Sequence, residues 1–177
     1  MILHDFNIIP SQKIIAKELT ALINNNINFW KRYFPVTIEK NKTLENSVLF
    51  LEDITASEKD KQLYLFGIRT SSNNKLCGLV YLKNIDWDIK EAELAYAIDH
   101  QFKGKGWTSK AVKAISNKGF EMGLETLIII AHKSNTGSVA VAQNCGYIWR
   151  ETLKNEFTPI NEHPLDMELY TLSKQGI

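Results

Sequence analysis

Cysteine is nearly absent: the 177 residues contain two, Cys77 and Cys145. They lie far apart and without metal-type spacing, which excludes a cysteine metal centre and a disulfide scaffold. Two packed, reduced thiols of a cytoplasmic protein are the expectation. Proline is scarce, with four residues, and no proline- or glycine-rich linker, internal repeat or low-complexity segment interrupts the chain. One domain spanning 1–177 is therefore expected. Neither sign of charge prevails. Twenty-one basic side chains face 20 acidic ones, a net charge of +1, which gives no basis for bulk attraction to nucleic acid or an anionic membrane. No apolar run nears the roughly 20 residues of a membrane-spanning helix. The start of the chain lacks a basic segment followed by an apolar core and a small-residue cleavage site, so secretion is not expected. His, Cys, Asp and Glu nowhere adopt metal-ligand spacing, and no metal is expected.

What is present is an ordinary globular balance, 44% hydrophobic and 23% charged, with two kinds of periodicity. From Ser11 or Gln12, Ile15, Leu19, Leu22 and Ile23 repeat at helical spacing, and the Asn24–Asn25–Asn26 run is expected to stop that helix. A second helix is expected over 44–54, fraying at 57–61. Residues 62–69 and 76–85 read as strands about an Asn73–Asn74 turn, and 91–98 alternates as a third. The pattern then changes. Residues 107–122 read as a helix with Trp107, Ala111, Ile115 and Met122 on one face. The apolar run 124–131 reads as an interior strand, since both its faces are apolar. A short helix over 135–144 ends at Gly146, and 147–151 and 165–172 supply two closing strands. The fold class is α/β: a mixed sheet of about seven strands, antiparallel first and parallel at its centre, with about four helices.

The stretch between the third strand and the following helix is Gln101-Phe102-Lys103-Gly104-Lys105-Gly106-Trp107. Two glycines let the backbone turn tightly and converge several N–H groups, and the helix adds the positive end of its dipole. That is an anion site suited to a pyrophosphate. It is not a P-loop, because no Gly-Lys-Ser/Thr follows at the required spacing. Nor is it a dinucleotide fingerprint, whose third glycine would fall at Ser109. A simple tight turn accounts for the loop equally well when the loop is taken alone.

A second constellation follows the apolar strand: Asn135-Thr136-Gly137-Ser138-Val139-Ala140 through Asn144-Cys145-Gly146-Tyr147. Asn135 and Ser138, three apart, share a helix side. Asn135 is also a natural N-cap, and a cap at a strand end can meet a ligand as well.

Here the sequence resembles a known family. Gln101-x-x-Gly104-x-Gly106 is similar to the Q/R-x-x-G-x-G/A acyl-CoA motif of the GNAT acetyltransferase superfamily. Glu93-Leu94-Ala95-Tyr96 resembles the E-I-G-Y strand of its ribosomal-protein-alanine/serine N-acetyltransferase-like branch. Asn135-x-x-Ser138-x-x-Val141-Ala142 with Gly146-Tyr147 resembles that branch's N-x-x-S-x-x-V-A and G-F. Asp166 to Tyr170 resembles its closing D-x-x-x-Y. The likeness covers about residues 76–173 with the motifs in order. There are departures. Residues 1–10 lack the family's R-L-x-L-R, and Ala95 stands where glycine is commoner. The tyrosine that many relatives use as general acid would fall at Ala142.

The resemblance implies an acetyl-CoA-dependent N-acetyltransferase in which a primary amine attacks the thioester directly. It places the pyrophosphate on backbone N–H groups of Gln101, Phe102, Lys103, Gly104, Lys105 and Gly106. The pantetheine would run along Ala97 and Ile98, in a gap between splayed parallel strands, with Asn135 bonded to it. Glu93 is the expected general base, on one strand face with the small Ala95 and Ala97; a carboxylate partly withdrawn from water accepts a proton more readily. An exposed strand glutamate like Glu91 is the plainer reading. Ser138 is expected to orient or protonate the leaving thiolate, with orienting the better fit. The acceptor is an amine, either a ribosomal-protein N-terminus or a small molecule, and a homodimer is compatible with the branch.

Other residues carry less. Cys145 reads as packing. His132 lies near a substrate entrance, and His100 reads as surface. Phe29, Trp30, Tyr33 and Phe34 read as core before acceptor wall, and Tyr170 is a further acceptor-side residue. The alternative function is a non-catalytic acyl-CoA sensor or interaction module on the same scaffold, which would keep the loop and Asn135 but lack a working base.

Overall fold

A computed structural model describes residues 5–174. Its centre is one seven-stranded sheet: β1 (Phe6–Pro10), β2 (Tyr64–Thr70), β3 (Leu76–Asp86), β4 (Glu91–Ile98), β5 (Thr126–Ala131), β6 (Ile148–Phe157) and β7 (Leu165–Ser173). The strands lie in the order β1-β2-β3-β4-β5-β7-β6. Among the described residues only β4 and β5 run parallel; every other neighbouring pair is antiparallel. The α/β mixed sheet expected from the sequence is the one observed.

Five α-helices cover it among the described residues: α1 (Ala16–Trp30), α2 (Pro35–Glu39), α3 (Leu44–Lys59), α4 (Trp107–Glu121) and α5 (Thr136–Asn144). Alternation along the strands divides the core in two. Val80, Leu82, Ala92 and Leu94 pack with Trp107, Ala111 and Ile115 of α4. Leu79, Tyr81 and Ala97 pack on the other face with Leu19, Ile23 and Trp30 of α1 and Phe50 and Ile54 of α3. Both faces of β3 are covered from Leu76 to Leu82, which is why that stretch is buried throughout.

The main departure from expectation is α1. The Asn24–Asn26 run does not end it; the helix begins at Ala16 and reaches Trp30, preceded by a 3-10 turn at Ser11–Lys13. Asn26 is fully buried, with Nδ2 donating to the Leu22 carbonyl at 2.9 Å, so its amide reinforces the helix rather than competing with it. Two further differences concern length. The helix expected over 44–54 runs on to Lys59, and the closing strand expected over 147–151 is β6, ten residues long. The run in β5 is not equally buried on both sides, because β5 alternates between buried and half-buried positions. No helix among the described residues is long and apolar enough to cross a membrane.

Candidate active site

The parallel pair makes the site. β4 and β5 are in register at Glu91↔Thr126, Ala92↔Leu127 and Glu93↔Ile128, and there the pairing stops. Beyond it β4 continues along β3 to Ile98, while β5 continues along β7 to Ala131. The two strands therefore separate into a wedge whose apex is Glu93. The Asp99 N–H donates to the Cys77 carbonyl at 2.7 Å. By the two-residue repeat of a strand, Ala97 and Ala95 also turn their backbone groups to β3, whereas Tyr96 and Ile98 turn theirs toward the wedge. The Ile98 carbonyl on that side accepts from Trp30 Nε1 at 3.2 Å. An extended ligand laid along this edge thus finds its backbone partners at Tyr96 and at the Ile98 N–H, and Ala97 contributes only its small side chain.

The loop lies at the wide end of the wedge. Gly104 and Gly106 have φ of +76° and +72°, and Gly106 is the N-cap of α4. A Cβ placed on either would meet nothing within 4 Å, so backbone conformation rather than crowding calls for glycine here. Gln101, Lys103, Gly104, Lys105 and Gly106 are exposed and Phe102 is half-buried. With no side-chain cap on α4, its first N–H groups open onto the loop together with those of Gly104 to Gly106. Lys105 Nζ lies 4.9 Å from the centroid of Phe102 and 5.3 Å from that of Trp107, and Lys103 Nζ lies 5.0 Å over Phe29. These donors and charges fit a pyrophosphate.

What holds the loop was not evident in the sequence. Asp99 is 1% exposed. Its Oδ1 accepts from the Gln101 N–H at 3.1 Å and lies 3.2 Å from His100 Nδ1, and its Oδ2 accepts from Lys75 Nζ at 3.3 Å. Asn26 Oδ1 takes the His100 N–H at 2.9 Å and lies 3.0 Å from His100 Nδ1. Asn26 Oδ1 and Asp99 Oδ1 can both accept a hydrogen bond from His100 Nδ1. His100 also stacks on Phe29, with centroids 4.5 Å apart. His100, read from sequence as a surface residue, is a half-buried link between α1 and the loop.

Across the wedge, Asn135 is the N-cap of α5, with Oδ1 accepting from the Ser138 N–H at 3.3 Å. Ser138 is half-buried, and its Oγ lies 3.0 Å from the Tyr96 hydroxyl, which also donates to the Ser138 carbonyl at 3.1 Å. Tyr96 thus ties β4 to α5 beyond the point where β4 leaves β5. Burial drives its phenol well above the usual range.

Glu93 shares the α1 face with Ala95 and Ala97, as its alternation predicts, and its side chain is 13% exposed. Both oxygens are engaged. Lys83 Nζ lies 3.0 Å from Oε1, and Asn84 Nδ2 donates to Oε2 at 2.8 Å. The plain reading as an exposed strand glutamate therefore does not describe it. Next to it in the same face Tyr81 lies opposite Ala95. Burial pushes the Tyr81 phenol up to about 12, and its hydroxyl lies 3.4 Å from Thr37 Oγ1.

The aromatics after α1 divide between core and surface. Trp30 is buried and Phe34 packs against the same cluster, whereas Tyr33 faces Phe157 with centroids 6.3 Å apart. Arg32 is paired with Glu162 at 2.7 Å. These contacts bring residues 31–34 to the connection between β6 and β7 on the α1 side of the sheet. Cys145 is buried, with Sγ 3.2 Å from the Ser109 carbonyl, a packed thiol. His132 bonds Ser134 at 2.7 Å just past β5. Tyr170 is buried against the α4 cluster, away from the α1 side.

A wedge in a parallel strand pair, mouthed by a glycine loop at a helix N-terminus, agrees with comparison to known proteins. The acetyltransferase (GNAT) domain model matches residues 14–148. The chain belongs to the GNAT acetyltransferase family. It is similar to "Probable N-acetyltransferase YjcK" of Bacillus subtilis (strain 168), 27% identical over 141 residues, 78% of this chain and 77% of that one. Among solved structures it resembles the microcin C7 self immunity acetyltransferase MccE in complex with acetyl-CoA and AMP. That match has a TM-score of 0.84 at 25% identity over 97% of this chain and 93% of the other. It shares its fold with RimL, a ribosomal L7/L12 alpha-N-protein acetyltransferase in complex with coenzyme A. There the TM-score is 0.89 at 16% identity over 100% and 98% of the two chains. The GNAT assignment makes the chain an acetyltransferase.

Proposed function

We propose that this GNAT protein transfers an acetyl group from acetyl-CoA to a primary amine. The observation that carries the reading is the wedge, which opens beyond Glu93↔Ile128 and ends at the loop of residues 101–106. Acetyl-CoA supplies an acetyl thioester from which the acetyl group passes to the amine without an acyl-enzyme. The chain's own residues divide the remaining work. Backbone N–H groups of Gly104, Lys105 and Gly106 and the first turn of α4 hold the pyrophosphate, with Lys103 and Lys105 adding charge. The N–H groups of Gln101, Phe102 and Lys103, expected from the sequence to share that work, instead donate to Asp99 Oδ1, the Asp99 carbonyl and the His100 carbonyl and shape the loop. The Tyr96 and Ile98 N–H groups bind the arm as a neighbouring strand would, beside Ala97, and a donor there gains strength as charge develops on a thioester oxygen. Asn135 holds the arm from the α5 side.

Glu93 takes the proton of the incoming ammonium, directly or through a water, and Lys83 stays beside it as counter-charge. Ser138 orients toward the departing sulfur. The acceptor enters from the α1 side, past residues 31–34 and the connection between β6 and β7. Names of structural relatives favour a protein N-terminal amine, which comes first in the panel, followed by polyamines and amino sugars. The reading places the protein in the cytoplasm, where acetyl-CoA and ribosomes are found.

The test is thermal unfolding with acetyl-CoA, CoA and NAD, then thiol release against that amine panel. A ligand bound by the native state alone adds roughly 2.7 kcal/mol at a hundredfold excess over its dissociation constant. A shift with both CoA ligands and none with NAD, followed by turnover, is expected. The absence of any shift at saturating CoA overturns the binding site. Saturation without turnover on any amine overturns the transfer and makes the chain an acyl-CoA sensor.

A further inference from the structure

The hydroxyl of Tyr96 has one proton and two neighbours, the Ser138 carbonyl at 3.1 Å and Ser138 Oγ at 3.0 Å. Two arrangements satisfy that geometry. In one, the phenol donates to the carbonyl and accepts from the serine hydroxyl. In the other, the phenol donates to Oγ, and the serine proton is released toward whatever acceptor lies in the wedge. Only the first keeps the bond to the carbonyl, and the second exchanges it for the bond to Oγ, so the switch is two hydroxyl rotations with no heavy-atom movement. Tyr96 reaches this position because it stands three residues beyond Glu93, the last β4 residue paired with β5. Its backbone lies on the wedge while its ring packs on the α4 and α5 side. Ser138 is held from a second direction by the Asn135 cap.

We propose that Tyr96 is a positioning residue for the acetyl transfer, acting through Ser138 by holding its Oγ as a hydrogen-bond donor to the sulfur that leaves the thioester. This rests on the acetyl-CoA reading above. In the transfer a C–N bond forms and a C–S bond breaks, and the sulfur leaves with the bonding pair as a thiolate. Ser138 donates a hydrogen bond to it and keeps its proton, and Tyr96 likewise ends as it began. Burial pushes the phenol far up, so Tyr96 holds its proton throughout and is not the acid.

The experiment compares Tyr96→Phe, Ser138→Ala and the double variant, using CoA, desulfo-CoA and acetyl-CoA as probes. Each single variant is expected to shrink the preference for CoA over desulfo-CoA by about two- to tenfold, the worth of one ordinary hydrogen bond. Each should lower kcat about tenfold with KM for acetyl-CoA unchanged, as for an oxyanion donor of moderate strength. The double variant should be no worse than Ser138→Ala, since Tyr96 works only through that hydroxyl. Should Tyr96→Phe fold poorly, 3-fluorotyrosine at position 96 keeps the ring and makes the phenol more acidic. A positioning role leaves the pH profile of kcat where it was; an alkaline limb that moves down makes Tyr96 the acid and overturns the assignment. A Tyr96→Phe loss that persists undiminished in the Ser138→Ala background also overturns it, as does an unchanged CoA preference. A wild-type chain that binds no CoA overturns the acetyl-CoA reading, whereas a normal wild type with additive variants overturns this inference alone.

Discussion

Trp30 Nε1 donates to the Ile98 carbonyl across 68 positions of sequence, at the edge of β4 that β5 has already left. The indole therefore does for that carbonyl what a neighbouring strand would have done, and it fastens the end of α1 to the rim of the wedge. Trp30→Phe keeps most of the buried ring and removes the donor. A loss of about 1 kcal/mol is expected, the net worth of one hydrogen bond, read as a lower urea midpoint with unchanged slope. A fall beyond about 3 kcal/mol would show that packing, and not the N–H, is what the ring supplies.

Asp99 separates an anchoring role from a charge role. Asp99→Asn retains an acceptor for the Gln101 N–H but loses its charge toward Lys75 and His100, whereas Asp99→Ala loses every contact. The alanine variant should lose about 1–3 kcal/mol, because the N–H it served is left without a partner. It should also bind CoA more weakly than wild type. The asparagine variant should stay near wild type in both, because Lys75 is partly exposed and its pairing is screened. Urea unfolding and CoA titration on the three proteins check this; an asparagine variant as damaged as alanine would assign the effect to charge.

Two glycines test two different physical costs. At Gly106 an alanine meets open space but must hold φ +72°, a cost of roughly 1–2 kcal/mol that asparagine largely avoids. At Gly78 the backbone is ordinary, but a Cβ would lie 2.9 Å from the Ala97 carbonyl oxygen and 2.8 Å from Ile98 Cδ1. Gly78→Ala should therefore cost about 1–3 kcal/mol through overpacking and push β4 at the rim of the wedge. Asparagine should rescue position 106 and not position 78, as measured by thermal unfolding.

The buried thiols predict the alkaline limit of stability. Burial pushes Cys77 from its ordinary 9.0 up to about 12 and Cys145 up to about 11. Between about pH 9 and 12 the unfolded chain has released these protons and the native chain has not, so folding loses stability as pH rises. Tyr81, raised from 10.0 to about 12, acts in the same direction. The urea midpoint should hold steady to about pH 9 and then fall, with a shallower fall in Cys77→Ala. A flat profile through pH 11 would refute the burial argument. Near pH 8 roughly one Cys145 in a thousand is thiolate, so both thiols should resist a disulfide reagent until urea exposes them.

Much of the fold was legible because alternation and helical spacing report directly on burial. β4 and the start of α4 fell where the pattern placed them, and the order of motifs pointed to the family. The Asn24–Asn26 run misled because propensity treats asparagine as a competitor for backbone hydrogen bonds, while the folded chain buries Asn26 and gives it a partner 74 positions away. Asn26 and Tyr96 escaped the reading because each matters through a contact with another element, which nothing local in the sequence encodes. Asp99 does carry a local signal, a capping carboxylate two residues before the N–H that it accepts, but its contact with Lys75 is equally distant in sequence. Glu93 was singled out for its empty surroundings beside two alanines. Its counter-charge on Lys83 comes from the neighbouring strand, where only the register reveals it.

The ladder between β4 and β5 is three residue pairs long, and among the described residues it is the only strand pairing between the two halves of the sheet. Like a short weld between two plates, it concentrates any relative motion of β1–β4 against β5–β7 at one line, with α4 spanning it on one side as a backing strip. A ligand lying in the wedge extends that weld along the rest of the seam. Amide exchange should therefore slow on both plates at once when the wedge is filled, at Leu127 and Ile129 as well as at Tyr96 and Ile98, so that occupancy is felt as stiffness across the whole sheet.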